Sequence, residues 1–385
     1  MMLLSQRAKA LSPSPTLALD QKVRAMRAQG IPIISLVAGE PDFDTPSTVK
    51  QAAVQALADG HTKYTDVSGI LALRILIAKQ LKNAIKVDYE PGQVIVTAGA
   101  KQALYNALQV LVGPGDEVII PSPYWVSYPA MVKLAGATPV ILPTREKDHF
   151  VPQSGELERV ITPKTRVLIL NSPNNPTGAT YSRQALAALG RVALAHRLII
   201  ISDEIYSKLT YGVRHVSPAS LSRPLAERTI VVDGMSKAFA MTGWRMGYAA
   251  GPLEVIKAMA ALQSHSTSNA SSLAQHASIS ALKKSHSSVE KMRKAFQQRR
   301  DFVLKELKKM STWSCLKPTG AFYAFINIQK TGLSSQACAE RLLTEARVAL
   351  IPGVEFGAEG YLRLSYAASM DTLRAAMKQI QKVFL

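Results

Sequence analysis

Between about residues 90 and 250 the sequence carries seven short apolar runs: VIVT at 94–97, VII at 118–120, PVIL at 139–142, VLIL at 167–170, LIII at 198–201, IVV at 230–232 and MGYA at 246–249. The runs are continuous rather than alternating. An alternating strand leaves one face to water, whereas an unbroken apolar strand must be covered on both faces, as crossover helices do in a parallel sheet. Helix-spaced apolar residues do lie between the runs, with Leu104, Ala107, Leu108 and Leu111 after the first and Leu186, Leu189, Val192 and Ala193 after the fourth. The pattern predicts an α/β fold whose large domain is built on a mostly parallel, seven-stranded sheet.

At 385 residues the chain is too long for this sheet alone, since domains run to about 150 residues. After residue 285 the pattern changes to a long basic amphipathic helix with Val289, Met292, Phe296, Val303, Leu307 and Met310 as its apolar stripe. FYAFI at 322–326 and LRLSY at 362–366 read as strands, and the stretch from Met370 reads as a closing helix. These features predict an N-terminal arm and part of a small domain over 1–45, a large domain over 46–285 and a smaller α+β domain over 286–385.

Several function classes are disfavoured by composition. Two cysteines, Cys315 and Cys338, and seven histidines without a His-Glu-x-x-His pattern argue against a disulfide framework and against a metal site, and favour a reducing compartment. The apolar run at 1–4 is too short for a signal-peptide core, and no run approaches the roughly 20 residues that span a bilayer. A soluble, cytoplasmic protein without membrane contact is expected. The net charge of +19 is the unusual quantity, and it admits a nucleic-acid partner, an anionic surface or anionic substrates.

Ligands of open α/β sheets bind beyond the carboxyl ends of the strands, so the residues after each run are the candidates for chemistry. After the first run, Thr97-Ala98-Gly99-Ala100-Lys101 opens a helix, where free N–H groups favour an anion. After the fourth, Asn171-Ser172-Pro173-Asn174-Asn175-Pro176 forms a stiff loop that can aim an amide. After the fifth, Asp203 follows four apolar residues closely enough to require a cationic or protonated partner. After the sixth come Ser236 and Lys237, with Arg245 nearby. A lysine at the end of a buried strand can be depressed in pKa and become a nucleophilic amine, while a hydroxyl and a guanidinium can hold a phosphate. An amine, a carboxylate, a phenol (Tyr206), an amide and a phosphate cradle together meet the needs of pyridoxal 5′-phosphate.

Ordered motifs run through nearly the whole chain: VAGEPDF at 37–43, TKY at 62–64, PSPYWVSYP at 121–129, NNPTG at 174–178, SDEIY at 202–206, SK at 236–237 with MTGWR at 241–245, and LRLSY at 362–366. With these the chain resembles the class I aminotransferases of the fold-type I pyridoxal-phosphate group, most closely the bacterial-type aspartate aminotransferases. The resemblance implies that Lys237 is the Schiff-base lysine and proton carrier, that Asp203 keeps the pyridine nitrogen protonated, that Asn175 and Tyr206 hydrogen-bond the ring oxygen, and that Trp125 stacks on the ring. It implies a phosphate held by Ala100, Lys101, Ser236 and Arg245, with Tyr64 reaching over from a second subunit, and hence a homodimer. Arg363 would bind the substrate α-carboxylate, Gly39 would offer backbone to the substrate, Trp125 and Asn175 would also border it, and Lys101 would meet a distal carboxylate.

The reaction implied is ping-pong transfer of an amino group from L-aspartate to 2-oxoglutarate, with amino acids and 2-oxo acids as partners. Relatives that also use prephenate carry a Lys before the proline of the arm; Ser12 stands before Pro13 here, which argues against that activity. Aromatic aminotransferases and carbon–sulfur lyases share the cofactor residues and differ in the side-chain pocket. Transcription regulators with an aminotransferase-like domain place a DNA-binding unit ahead of the fold, for which Gly39 comes too early. The local excess of Lys and Arg between Lys283 and Lys309 has no aromatic stacking platform beside it, so it reads as a solvated helix face and no nucleic acid is expected.

Overall fold

All seven apolar runs become strands of one sheet. The computed structural model describes residues 15–385 together with Ser5, Lys9 and Pro13, so residues 1–4 and Ser12, on which the leader and prephenate expectations rest, lie outside the described residues. In chain order the strands are β1 (Ile34–Ser35), β2 (Val94–Thr97), β3 (Glu117–Ser122), β4 (Thr138–Pro143), β5 (Thr165–Asn171), β6 (Ile199–Asp203), β7 (Thr229–Gly234) and β8 (Gly247–Ala250), followed by β9 (Ser314–Cys315), β10 (Tyr323–Asn327), β11 (Val348–Ala349), β12 (Ile351–Pro352) and β13 (Tyr361–Ser365).

The large sheet has the order β2-β8-β7-β6-β5-β3-β4. Strand β8 is antiparallel to both of its neighbours, and the other pairings are parallel. Both faces are covered, as the unbroken runs require, except at the edge strand β4, where only Leu142 is buried and Ile141 is exposed. Ile95, Val118, Ile120, Val167, Ile169 and Ile201 pack on one side with Leu104, Ala107 and Leu108 of the helix Ala100–Leu111. On the other, Val94, Val96 and Val231 pack with the helices Leu71–Ile85 and Ser272–Lys284, and Ile119, Leu168, Leu170 and Ile200 pack with the helix Arg183–Ala195. Each such fully buried aliphatic side chain contributes about 1.5–3 kcal/mol.

The C-terminal part forms a second, antiparallel sheet, β12-β13-β10-β9. The N-terminal segment returns to this part of the chain in a separate two-stranded sheet, in which β1 pairs in parallel with β11, Ile34 opposite Val348. Between the sheets runs the helix His286–Leu307, whose Val289 packs with the large-sheet core while Met292, Phe296, Val303 and Leu307 enter the small one. Met310, expected on the same stripe, lies past the helix end and is buried there. Its basic face is partly neutralised: Arg293 pairs with Glu290, Arg299 with Asp42 and Lys309 with Glu306, while Arg300 is buried against the Tyr211 ring and the Pro318 carbonyl. Among the described residues no helix is long and apolar enough to cross a membrane.

Candidate active site

The carboxyl ends of β2, β3, β5, β6 and β7 open on a cavity of about 320 Å³, closed from the other side by the segment at Gly39 and by Arg363 of β13. Asp203 ends β6 and is buried. Its Oδ2 accepts a hydrogen bond from the Tyr128 hydroxyl (2.6 Å) and its Oδ1 one from the Ile205 N–H (3.2 Å). Burial pushes its carboxyl up to about 6, and those two hydrogen bonds, which favour the anion, limit the rise. The neighbouring strand end is tied to it, because Asn171 Nδ2 donates to the Asp203 carbonyl (3.0 Å) while Asn171 Oδ1 accepts from the Asn175 N–H (2.8 Å). The Ser122-Pro123, Ser172-Pro173 and Asn175-Pro176 bonds that shape these loops are cis.

Lys237, three residues beyond β7, sends its ammonium across the cavity to the Gly39 carbonyl (2.5 Å). Burial lowers its pKa to about 8; Glu40 opposes the fall, while Arg245 and Arg363 add to it. A lowered pKa means that the neutral, nucleophilic amine is populated above about pH 8, where an ordinary lysine would still be charged up to about 10.5. We expect the rate at which the cofactor-free protein captures a carbonyl probe at Lys237, trapped with borohydride, to rise with pH to a half-maximum near pH 8. A midpoint near 10.5 would contradict the placement of this amine.

Arg363 is buried at the middle of β13, with Leu362 and Leu364 on the core side as the alternation predicts. Its own side of the strand is covered too, by the N-terminal segment and the loop after β5: Nη2 donates to the Val37 carbonyl (2.6 Å) and Nη1 to Asn175 Oδ1 (3.0 Å). The guanidinium lies between the Tyr323 ring (4.5 Å) and the Phe356 ring (5.1 Å), and Nε, also buried, has no partner. Tyr323 in turn meets the Tyr206 hydroxyl at 3.0 Å. A Cβ on Gly39 would stand 3.2 Å from the Tyr323 hydroxyl, so glycine leaves the room that the tyrosine uses.

The opposite end of the cavity is a helix start. Gly99, at φ 82°, precedes the helix Ala100–Leu111, whose first turn has no side-chain cap. Arg245 leans on it, Nη1 donating to the Thr242 carbonyl (2.9 Å) and Nη2 reaching toward the Ala98 carbonyl (3.4 Å). Two close approaches depend on glycine: a Cβ at Gly99 would lie 2.6 Å from Arg245 Nη2, and one at Gly247 would lie 2.2 Å from the Ala100 nitrogen. Ser236 is buried beside this end. Lys101 extends over the Trp125 ring (4.8 Å), and burial followed by the charge of Arg245 lowers its pKa.

Gly39, Ala100, Lys101, Trp125, Asn175, Asp203, Tyr206, Ser236, Lys237, Arg245 and Arg363 therefore line one cavity although they come from seven separate stretches of chain. Tyr64 does not join them within this chain; it is 91 % exposed. Sequence reasoning did not single out Tyr128, Asn171 or Tyr323, which also line the cavity. Tyr128 and Asn171 stand in motifs that were visible, but their contacts with Asp203 join different strand ends, and no local spacing signals them.

A family model described as "Aminotransferase class I and II" matches residues 31–380. The chain is 49% identical to the aspartate aminotransferase of Geobacillus stearothermophilus, over 99% of this chain and 98% of that protein. It is 46% identical to the aspartate/prephenate aminotransferase of Thermus thermophilus, with 99% and 98% covered. The solved structure of the Thermus thermophilus aspartate aminotransferase with maleate superposes with a TM-score of 0.96 at 46% identity, covering both chains completely.

Proposed function

The chain belongs to the class I and II aminotransferase family, and from that premise we propose that it transfers the amino group of L-aspartate reversibly to 2-oxoglutarate, giving oxaloacetate and L-glutamate, with pyridoxal 5′-phosphate as cofactor. The observation that carries this reading is the meeting of Lys237, Asp203 and Arg363 in one cavity. The residues present fit such a cofactor: a buried carboxylate awaits a protonated partner and an uncapped helix start faces a guanidinium, while the buried Arg363 Nε, which lacks an acceptor, fits a substrate carboxylate.

Bound there, pyridoxal phosphate supplies a reactive carbonyl carbon and a protonated ring that draws electrons from the substrate's Cα. In this reading Lys237 Nζ takes the proton from the substrate Cα and returns it on the other side of the reaction, for which a depressed pKa suits it. Asp203 holds a proton at the ring nitrogen. Asn175, whose Oδ1 is engaged by Arg363, has Nδ2 left and would donate it to the ring oxygen together with Tyr206, and Trp125 would stack on the ring. Ala100, Lys101, Ser236 and Arg245 receive the phosphate, joined by Tyr64 of a second copy in a cytoplasmic homodimer, where exposure of that side chain in the single chain leaves it free to reach. Arg363 binds the α-carboxylate, the Gly39 segment closes over the substrate, and Lys101 meets the distal carboxylate. Residues 46–285 would form the cofactor domain and 286–385 the small domain, with 1–45 as an arm and part of the small domain; the β1–β11 pairing supports that grouping.

The test is the absorption spectrum of the purified protein supplied with the cofactor. A visible band that shifts on adding aspartate and returns with 2-oxoglutarate is expected, and prephenate is expected to replace 2-oxoglutarate poorly. Failure to take up the cofactor, or good turnover of phenylalanine or cystathionine with poor turnover of aspartate and glutamate, overturns the reading.

The phosphate cradle yields a second expectation. Gly247→Ala puts a methyl group into the Ala100 backbone, which must shift, at about 1–3 kcal/mol of strain. Cofactor affinity should fall by roughly ten- to a hundred-fold in equilibrium dialysis, with the KM for aspartate little changed in the saturated enzyme.

A further inference from the structure

Glu204 follows Asp203 directly, is 2 % exposed, and does not line the active-site cavity. Its N–H donates to the Val232 carbonyl (2.8 Å), so the β6–β7 ladder continues one residue past Asp203. Successive side chains of an extended strand point to opposite faces. Glu204 accordingly lines a different cavity, of about 400 Å³, behind the strand.

A carboxylate buried this deeply must be fully hydrogen-bonded. Glu204 Oε1 accepts from the Ser202 hydroxyl (2.8 Å) and the Ser217 hydroxyl (2.5 Å), and Oε2 meets His215 Nε2 at 2.7 Å. Asp233 and Tyr248 face the same space from β7 and β8, Lys208 and Arg214 from the loop after β6, and the Tyr89 phenol stands close enough for the Glu204 charge to raise its pKa further beyond the effect of burial. On its other flank the Asp203 carbonyl is held by Asn171 Nδ2 and the Ser172 N–H. The peptide carrying Asp203 is thus fastened from the front by one loop and from behind by the Glu204 side chain.

We propose that Glu204, clamped by His215, Ser202 and Ser217, is a positioning residue for Asp203: it fixes that residue's backbone from the rear of the sheet and sets a second negative charge behind its carboxylate. A like charge strengthens the grip of a carboxylate on a proton, and Glu204 does act on Asp203 in that direction, ranking after burial and after the opposing hydrogen bonds from Tyr128 and the Ile205 N–H. The inference rests on the assignment of Asp203 to the ring nitrogen, where a firmer grip keeps the ring protonated.

The test uses the cofactor-free protein, in which Asp203 protonation is followed by difference infrared spectroscopy of the carboxyl C=O stretch, identified by its loss in Asp203→Asn. The native midpoint is expected near pH 6. Glu204→Gln keeps the shape and removes the charge, and should lower that midpoint by roughly half to one pH unit. An unmoved midpoint in a folded Glu204→Gln protein overturns the proposal, because a merely structural Glu204 would leave it in place. Should that variant fail to fold, the doubly apolar variant Glu204→Met with His215→Leu replaces it, since such exchanges of a buried pair are often tolerated; read against His215→Leu alone, so that only Glu204 differs, the same downward shift supports the proposal and its absence overturns it. Failure of the parent reading looks different: the native protein then lacks the aspartate-responsive visible band, whereas failure of this inference alone leaves the band intact and the Asp203 midpoint unmoved.

Discussion

Lys237→Ala, saturated with pyridoxal phosphate, is expected to transaminate aspartate at least about 10⁴-fold more slowly than the native protein. Among the described residues no other amine lies where Lys237 Nζ does. The other cations around the cavity are Lys101, Arg245 and Arg363; the guanidinium groups remain protonated, and Lys101 lies over Trp125 near the opposite end. The protein should nevertheless fold, because removing a desolvated ammonium whose hydrogen bond to Gly39 only partly offsets its burial relieves a penalty. Stopped-flow spectra with aspartate would check the rate, and circular dichroism the fold. Addition of a small primary amine should restore part of the activity, since what is lost is a proton carrier and not the shape of the site. A Lys237→Ala enzyme with near-native turnover would place the proton transfer on another residue.

The second large effect belongs to Arg363. Arg363→Lys keeps the charge and loses the planar fork, so the Val37 carbonyl, Asn175 Oδ1 and an incoming α-carboxylate can no longer all be served. Breaking a buried, hydrogen-bonded charge contact costs about 2–5 kcal/mol, which converts to a drop in kcat/KM for aspartate of about 30-fold to several thousand-fold. Most of it should appear in KM, since the carboxylate is held in ground and transition states alike. An amine donor without an α-carboxylate is the control and should change far less. Equal losses for both donors would mean that Arg363 supports the fold of the site and does not bind substrate.

How much of this was legible beforehand varies with the kind of interaction. The seven strands were, because the runs at 94–97 through 246–249 each demand a covered strand, although the run at 139–142 became an edge strand whose Ile141 stays exposed. The order β2-β8-β7-β6-β5-β3-β4 was not, nor was the reversed direction of β8, which depends on how the chain crosses over the sheet and leaves no trace in local periodicity. Lys237, Asp203 and Asn175 were found by the rule that strand ends carry the ligand. Tyr128 was missed as a site residue because its importance comes from an Asp203 oxygen 2.6 Å away and 75 residues along the chain. The excess of positive charge, conspicuous in sequence, turns out to be partly tied into the fold through Arg299 on Asp42 and Arg300 beneath Tyr211.

By itself, then, the sequence determined the class of fold and the chemical inventory, since hydrophobic periodicity and the residue types at strand ends are local properties that need no partner to be read. Tertiary structure alone decided the working states of that inventory. Lys237 is depressed and Asp203 raised because of what surrounds them in space, and Arg363 is aimed by Val37 of the N-terminal segment and Asn175 of the loop after β5. Desolvation and Coulomb interaction act through distance in three dimensions, which is why the chemistry was nameable from the chain but its tuning was not.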